Sequence, residues 1–149
     1  MKQILIFIIV VLSIPIPCFG GGRTTSDNKY VQVSFSLRER QLRAGSNGLL
    51  LINLQPKKGI HVNLEPPPSV TFDTTDVLSA AGKLDVPKSE KTKFLDGSRA
   101  MKQPFTLSRK LKPGPVTLTG SLTYFYCSDA EGWCSRFKQP VELTINVMK

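Results

Sequence analysis

The feature that most constrains this chain is a series of short apolar runs separated by turn-forming residues. Residues 30–37 read YVQVSFSL, in which every second position from Val31 to Leu37 is apolar. A period of two is the spacing at which side chains share one face of a β-strand. Across residues 30–149, no stretch carries the 3.6-residue apolar stripe of an amphipathic helix. The pattern therefore predicts an all-β domain.

The predicted strands number seven to nine and follow one another closely. The candidates are residues 30–37, 49–54, 60–64, 70–72, 83–86, 105–107, 116–126 and 137–147. Residues 49–54, LLLINL, are almost wholly apolar, which predicts an inner strand. Three consecutive prolines at 66–68 cannot donate to a strand ladder, so they lie outside any central strand. This number and spacing of strands is typical of an immunoglobulin-like two-sheet sandwich.

The first twenty residues have the composition of an export signal. Lys2 precedes an apolar run over residues 4–16, and the run contains Pro15 and is shorter than the roughly 20 apolar residues of a spanning helix. We therefore expect a cleaved signal peptide over residues 1–20, with no transmembrane segment in the mature chain. A flexible Gly-rich lead-in over 21–29 and a single domain over 30–149 should follow. The alternative is a lipoprotein that is acylated on Cys18.

The net charge and the small number of Cys and His residues exclude some classes of function but do not identify one. The formal net charge of +9 permits an acidic partner, nucleic acid or an anionic membrane surface. The basic groups near residues 38–43 and 88–93 lack the interleaved aromatic residues that stack nucleic-acid bases, so we expect no nucleic-acid partner. With one His and three Cys, a zinc site of four Cys and His ligands would need every one of these residues. We expect no metal and no cofactor.

Cys127 and Cys134 are the residues that carry chemistry. Cys127 ends a predicted strand, residues 128–133 form a turn and Cys134 precedes the next strand, so both thiols flank one hairpin connection. A bond that closes so short a loop contributes about 2.5 kcal/mol, near the low end for a structural disulfide. A bond at the mouth of a loop is also accessible to an attacking thiolate. Three interpretations stay open: a structural disulfide, reversible exchange, and free thiols or metal ligands.

The sequence around these cysteines resembles a known family. Residues 124–134, YFYCSDAEGWC, combine an aromatic strand, a Cys, a short turn, an aromatic residue and a second Cys. Residues 59–63, GIHVN, precede a proline-rich stretch and resemble the segment that lies near the Cys pair in that family. Over about residues 30–147, these motifs and the strand order resemble the N-terminal periplasmic domain of the thiol:disulfide interchange protein DsbD.

The resemblance implies an immunoglobulin-fold redox domain. Such a domain takes electrons from a thioredoxin-like protein, through a transient mixed disulfide, and passes them to thiol proteins of the periplasm or cell envelope. It also implies that Cys127 and Cys134 form the redox pair and that Cys127 is attacked first. Phe94, in KFLDG, corresponds to the aromatic residue of a loop that caps the pair, so residues 91–97 are expected to shield it.

His61, Trp133 and Tyr126 complete the predicted surroundings of the pair. By residue type alone, His61 is either a packing and hydrogen-bonding residue or a general base, and Trp133 either recognises a partner or packs the hairpin. Three functions therefore remain under consideration. They are a thiol-disulfide exchange module, a secreted binding domain with a purely structural disulfide, and a lipid-anchored envelope adaptor.

Overall fold

The alternating apolar pattern folds into nine strands among residues 28–73 and 76–149, the part of the chain that the computed structural model describes. They are β1 (Val31–Leu37), β2 (Gln41–Arg43), β3 (Asn47–Pro56), β4 (Ile60–Val62), β5 (Ser69–Phe72), β6 (Leu78–Ala81), β7 (Met101–Leu107), β8 (Gly114–Ser128) and β9 (Trp133–Met148). The predicted signal peptide over residues 1–20, the acylated Cys18 of the alternative and most of the predicted lead-in lie outside the described residues.

The strands form two sheets that pack together. One sheet has the order β1-β3-β7-β6, and the other has the order β2-β9-β8-β4 with β5 also paired to β8. Every pairing is antiparallel except that of β2 with β9. The predicted all-β, immunoglobulin-like two-sheet sandwich is confirmed.

The core lies between the sheets and follows the period-two rule. In β3, Leu50, Ile52 and Leu54 are at most 1% exposed, and the residues between them are only half-buried. In β9, alternate residues from Gln139 to Val147 are buried and those between them are exposed. As predicted, β3 is an inner strand, since it lies between β1 and β7.

Some strand predictions were wrong in detail. Residues 83–86 are not a strand, because only Asp85 forms an isolated bridge, with Lys102. The sheet edge beside β7 is taken instead by β6, which the sequence did not indicate. The short strand β2 was missed as well, since only its central Leu42 is buried.

The packed domain reaches at least to Asn28, within the segment predicted to be a flexible lead-in. Asn28 is 8% exposed, and its Nδ2 donates a hydrogen bond of 2.9 Å to the hydroxyl of Tyr124. Its Oδ1 accepts hydrogen bonds from the backbone N–H groups of Tyr30 and Val31. Asn28 therefore joins the start of β1 to the middle of β8.

We expect the buried hydroxyl of Tyr124 to make the free energy of unfolding decrease in alkaline solution. Burial raises the pKa of Tyr124 to about 12, above the ordinary value of about 10. The folded state therefore keeps this proton while the unfolded state releases it, so the contribution is complete below about pH 10 and is lost as the pH rises toward about 12. When urea unfolding is measured across this pH range, the free energy of unfolding should decline less for Tyr124→Phe than for the wild type. Tyr30→Phe is the matched control, and an undiminished decline in Tyr124→Phe would contradict the assignment.

Candidate functional site

The two cysteines face each other across the hairpin formed by β8 and β9. Cys127 pairs directly with Cys134, their Cα atoms are 4.0 Å apart, and a disulfide joins them. Ser128 and Trp133 also pair, so the turn comprises residues 129–132 rather than the predicted 128–133. Gly132 has a φ of 67°, a left-handed conformation that glycine adopts readily, and its N–H donates to the Ser128 carbonyl. The disulfide is therefore a cross-strand pair near the tip of a long hairpin.

Strand β4 brings His61 beside this pair. β8 lies between β4 and β9, and the register pairs His61 with Cys127 on one side and Cys134 with Cys127 on the other. Directly paired residues in a sheet project from the same face. His61, Cys127 and Cys134 therefore form a row across three strands, on the face of the sheet that points away from the core.

The two cysteine residues differ in exposure. Cys127 is 5% exposed, whereas Cys134 is exposed. The position in the sheet explains this difference, because Cys127 lies on a strand with neighbours on both sides. At Cys134, the one strand paired with β9 among the described residues is β8. Exposure therefore favours attack at Cys134, contrary to the expectation that Cys127 is attacked first.

Asn63, just after β4, contacts the buried sulfur. Its side-chain Nδ2 lies 3.2 Å from Cys127 Sγ, as a hydrogen-bond donor to that sulfur. Its backbone N–H donates to the carbonyl of Phe125 at 2.9 Å, and its backbone also forms a bridge with Phe94. Asn63 is thus held by main-chain bonds on both sides while its side chain points to Cys127.

The loop that contains Phe94 lies against β4. The rings of Phe94 and His61 stack with centroids 3.6 Å apart and an interplanar angle of 25°. The next residue, Leu95, is 8% exposed, and its N–H donates to the carbonyl of Val62 at 3.0 Å. These two contacts hold residues 91–97 against β4, the strand that pairs with the Cys127 end of β8.

Asp96 braces the same loop from within. Its carboxylate accepts hydrogen bonds from the Ser98 hydroxyl at 2.6 Å and from Arg99 Nε at 2.8 Å. The Ser98 hydrogen bonds, and then the Arg99 bond, hold the pKa of Asp96 below its ordinary value. Arg99 also donates to the carbonyl of Lys88 at 2.8 Å. The loop is therefore held by hydrogen bonds within itself and by the bond from Leu95 to β4.

Polar contacts join His61 and Trp133 to the hairpin turn. His61 Nδ1 lies 3.4 Å from a carboxylate oxygen of Asp129, and their side chains are 14% and 80% exposed. Trp133 Nε1 donates a hydrogen bond to the Glu131 carboxylate. His61, which is paired with Cys127, and Trp133, which precedes Cys134, are thereby both connected to the turn between the two cysteines.

Trp133 also belongs to an aromatic cluster at this end of the sandwich. Its ring centroid lies 5.0 Å from that of Tyr30 and 5.8 Å from that of Tyr126. Tyr126 is 6% exposed and projects from the core-facing side of β8, because its neighbour Cys127 projects from the other side. Tyr126 therefore packs against Trp133 on the core-facing side of the sheet, away from the face that carries the disulfide.

An open pocket with a volume of about 370 Å³ collects most of the predicted site residues. Its lining includes His61, Phe94, Cys127, Trp133 and Cys134. Of the predicted set, Tyr126 alone is absent from this lining.

Three polar residues that were not among the predicted site residues line the same pocket, Asn63, Ser128 and Asp129. A period-two count from His61 would have placed Asn63 on the correct face. The turn position of Asp129 gave no indication of its contact with His61.

Comparisons with known proteins find similarity only among solved structures. No family model matches the chain, and no curated protein matches it. The crystal structure of the yeast GGA1 GAE domain is similar at a TM-score of 0.44 and 11% sequence identity, over 80% of this chain and 96% of that one. Among residues 28–73 and 76–149, no helix has the length and apolar character needed to cross a membrane.

Proposed function

We propose that this protein is an exported thiol-disulfide exchange domain whose reactive centre is the Cys127–Cys134 disulfide. One observation carries the proposal: the disulfide near the tip of a hairpin joins one exposed and one buried cysteine, and both line an open pocket. Thiol-disulfide exchange requires that an attacking thiolate reach one sulfur of the bond. The resemblance to the N-terminal domain of DsbD supports the same function and an envelope location.

The exchange proceeds in two balanced steps. A thiolate of the partner attacks Cys134 Sγ, a partner–Cys134 disulfide forms, the Cys127–Cys134 bond breaks, and Cys127 leaves with the electron pair. The second thiolate of the partner then attacks the partner sulfur of this mixed disulfide and releases Cys134. The partner dithiol is oxidised to a disulfide, and the domain gains two electrons and two protons.

A thioredoxin-like protein is the partner class that this chemistry favours. Such proteins present a low-pKa thiolate next to a second cysteine, which is the pair of groups that the two steps require. The partner approaches Cys134 from the side of β9 that faces away from β8, because among the described residues β8 is the one strand paired with β9 at this position. The reduced domain would then pass its electrons to thiol proteins of the periplasm or envelope.

The proposal is tested by comparing two reductants at equal thiol concentration. A thioredoxin-like protein should reduce the Cys127–Cys134 bond much faster than glutathione does, because docking orients its thiolate toward Cys134. Cys18 is replaced by Ala in every protein, so that only the pair reports. Equal rates with the two reductants, or no reduction by the thioredoxin-like protein, would favour a structural disulfide in a binding domain.

Phe94→Ala should raise the rate at which glutathione reduces the disulfide severalfold without unfolding the domain. Phe94 lines the pocket and covers His61, so removing its ring opens a path to the sulfurs. Stopped reactions that are alkylated and resolved by mass would measure the rate. Phe72→Ala, at a half-buried ring on β5, is the matched control and should leave the rate unchanged. An unchanged rate in folded Phe94→Ala would remove Phe94 from the shield.

A further inference from the structure

The proposed exchange leaves a negative charge on a buried sulfur, and the fold must accommodate that charge. When Cys134 is attacked, Cys127 departs as a thiolate at a position that is 5% exposed. A buried anion without a hydrogen-bond donor is costly, and burial in apolar surroundings raises the pKa of a thiol. A poor leaving thiolate slows exchange, since a leaving group of lower pKa departs faster. A donor that already points at Cys127 Sγ would therefore affect the rate.

We propose that Asn63 is this donor and that its side-chain amide stabilises Cys127 as the leaving thiolate. Asn63 Nδ2 lies 3.2 Å from Cys127 Sγ while the disulfide is still intact. A hydrogen bond to a neutral sulfur is weak, but the same bond becomes charge-assisted once the sulfur carries the electron pair. The donor therefore stabilises the product of the attack more than the starting disulfide. This assignment rests on the proposed function only for the identity of the leaving sulfur.

The backbone holds the amide in place before the reaction. The Asn63 N–H is bonded to Phe125 on one side, and its main chain bridges Phe94 on the other. Because neither contact uses the side chain, replacing the amide leaves both main-chain contacts available. Asn63 therefore also links the cap loop to the buried sulfur, since one residue touches both.

Among the described residues, Asn63 is the one whose side chain donates a hydrogen bond to Cys127 Sγ. On β4, His61 is paired with Cys127, but its Nδ1 faces Asp129, and its ring is covered by Phe94. Asp129, in the turn, is itself an anion and disfavours a thiolate. From β9, Arg136 follows Cys134 by two positions on the same face and is exposed, so solvent screens its charge. The cap loop contributes Phe94, with the exposed Lys93 beside it.

The ionisation of Cys127 can be measured without any partner. In the full chain with Cys18→Ala and Cys134→Ala, Cys127 is the one remaining thiol, and the ultraviolet absorbance of its thiolate gives the pKa. Asn63→Ala should raise that pKa by about one unit, a tenfold loss of thiolate stability, since hydrogen bonds to charged groups are the strong ones. Asn63→Asp should raise it further, because a carboxylate of nearly the same shape replaces the donor. Asn53→Ala, on β3, is the control and should change nothing.

A second readout uses the intact disulfide and dithiothreitol as the reductant. With Cys127–Cys134 present, Asn63→Ala and Asn63→Asp should both be reduced more slowly than the wild type, in the order of their thiol pKa values. Circular dichroism confirms that each variant is folded. A Cys127 pKa and a reduction rate that match the wild type in folded variants would overturn the role of Asn63. If the thioredoxin-like protein fails to reduce the domain while Asn63 still shifts the pKa, the proposed function fails and the Asn63 assignment stands.

Discussion

Cys127→Ala is expected to form a covalent complex with a thioredoxin-like protein, at a rate on the order of tenfold or more above that of Cys134→Ala. Cys134 is exposed, whereas Cys127 is 5% exposed, so the surviving cysteine is much more accessible in the first variant than in the second. The partner should carry one cysteine, activated as a mixed disulfide. The remaining thiolate of the domain then displaces the activating group. Both variants also carry Cys18→Ala, and non-reducing electrophoresis measures the complex.

The direction of this difference is the informative result. A complex formed equally by both variants would show that exposure does not select the attacked sulfur. A complex formed by Cys134→Ala in preference would restore the expectation that the family resemblance gave, in which Cys127 is attacked first. Phe94→Ala combined with Cys134→Ala is a useful third variant, since opening the cap should increase the reactivity of the buried Cys127.

Leu122→Ala is expected to lower the free energy of unfolding by about 2–5 kcal/mol, more than loss of the disulfide does. Leu122 is 0% exposed on β8, where β5 pairs on one side and β9 on the other, so its removal leaves a cavity in the core. Replacing Cys127 and Cys134 together should cost about 2.5 kcal/mol or less, because the loop they close is short. Urea unfolding measures both, and Thr123→Ala, on the opposite face, is the control.

This comparison separates a structural bond from an exchangeable one. An exchange domain must stay folded when its pair is reduced, so the core rather than the disulfide has to hold the sandwich together. If the double Ala replacement of the cysteines unfolds the domain, or costs more than Leu122→Ala, the bond is structural.

The fold was predictable where the alternation is long and one face is buried. β1 and β9 satisfy that condition, and both were located within a few residues of their observed ends. β6 could not be found this way because three of its four residues are exposed, so it has no apolar pattern to detect. Residues 83–86 do alternate, but they lie beside β7 beyond the part of its edge that β6 pairs with, and only Asp85 makes a bridge there.

The site could be predicted from the sequence where its residues lie close together along the chain. Cys127 and Cys134 lie in one hairpin, so their spacing alone brought them together. The hydrogen bond from Asn63 to Cys127 joins residues 64 positions apart and depends on the register of β4 against β8. The contact between His61 and Asp129 depends on the same register. No sequence pattern reports a register between distant strands, although a family resemblance can indicate that two segments are neighbours.

The reduction potential of the Cys127–Cys134 couple tests the proposed exchange most directly. Equilibrating the protein, with Cys18 replaced by Ala, against buffers of reduced and oxidised dithiothreitol or glutathione gives this value. Because Cys134 is exposed and the loop that the bond closes is short, we expect a potential above about −300 mV, toward the range of about −270 to −120 mV in which disulfide oxidoreductases operate. A potential below about −300 mV is typical of inert structural disulfides in secreted proteins and would contradict a role in exchange.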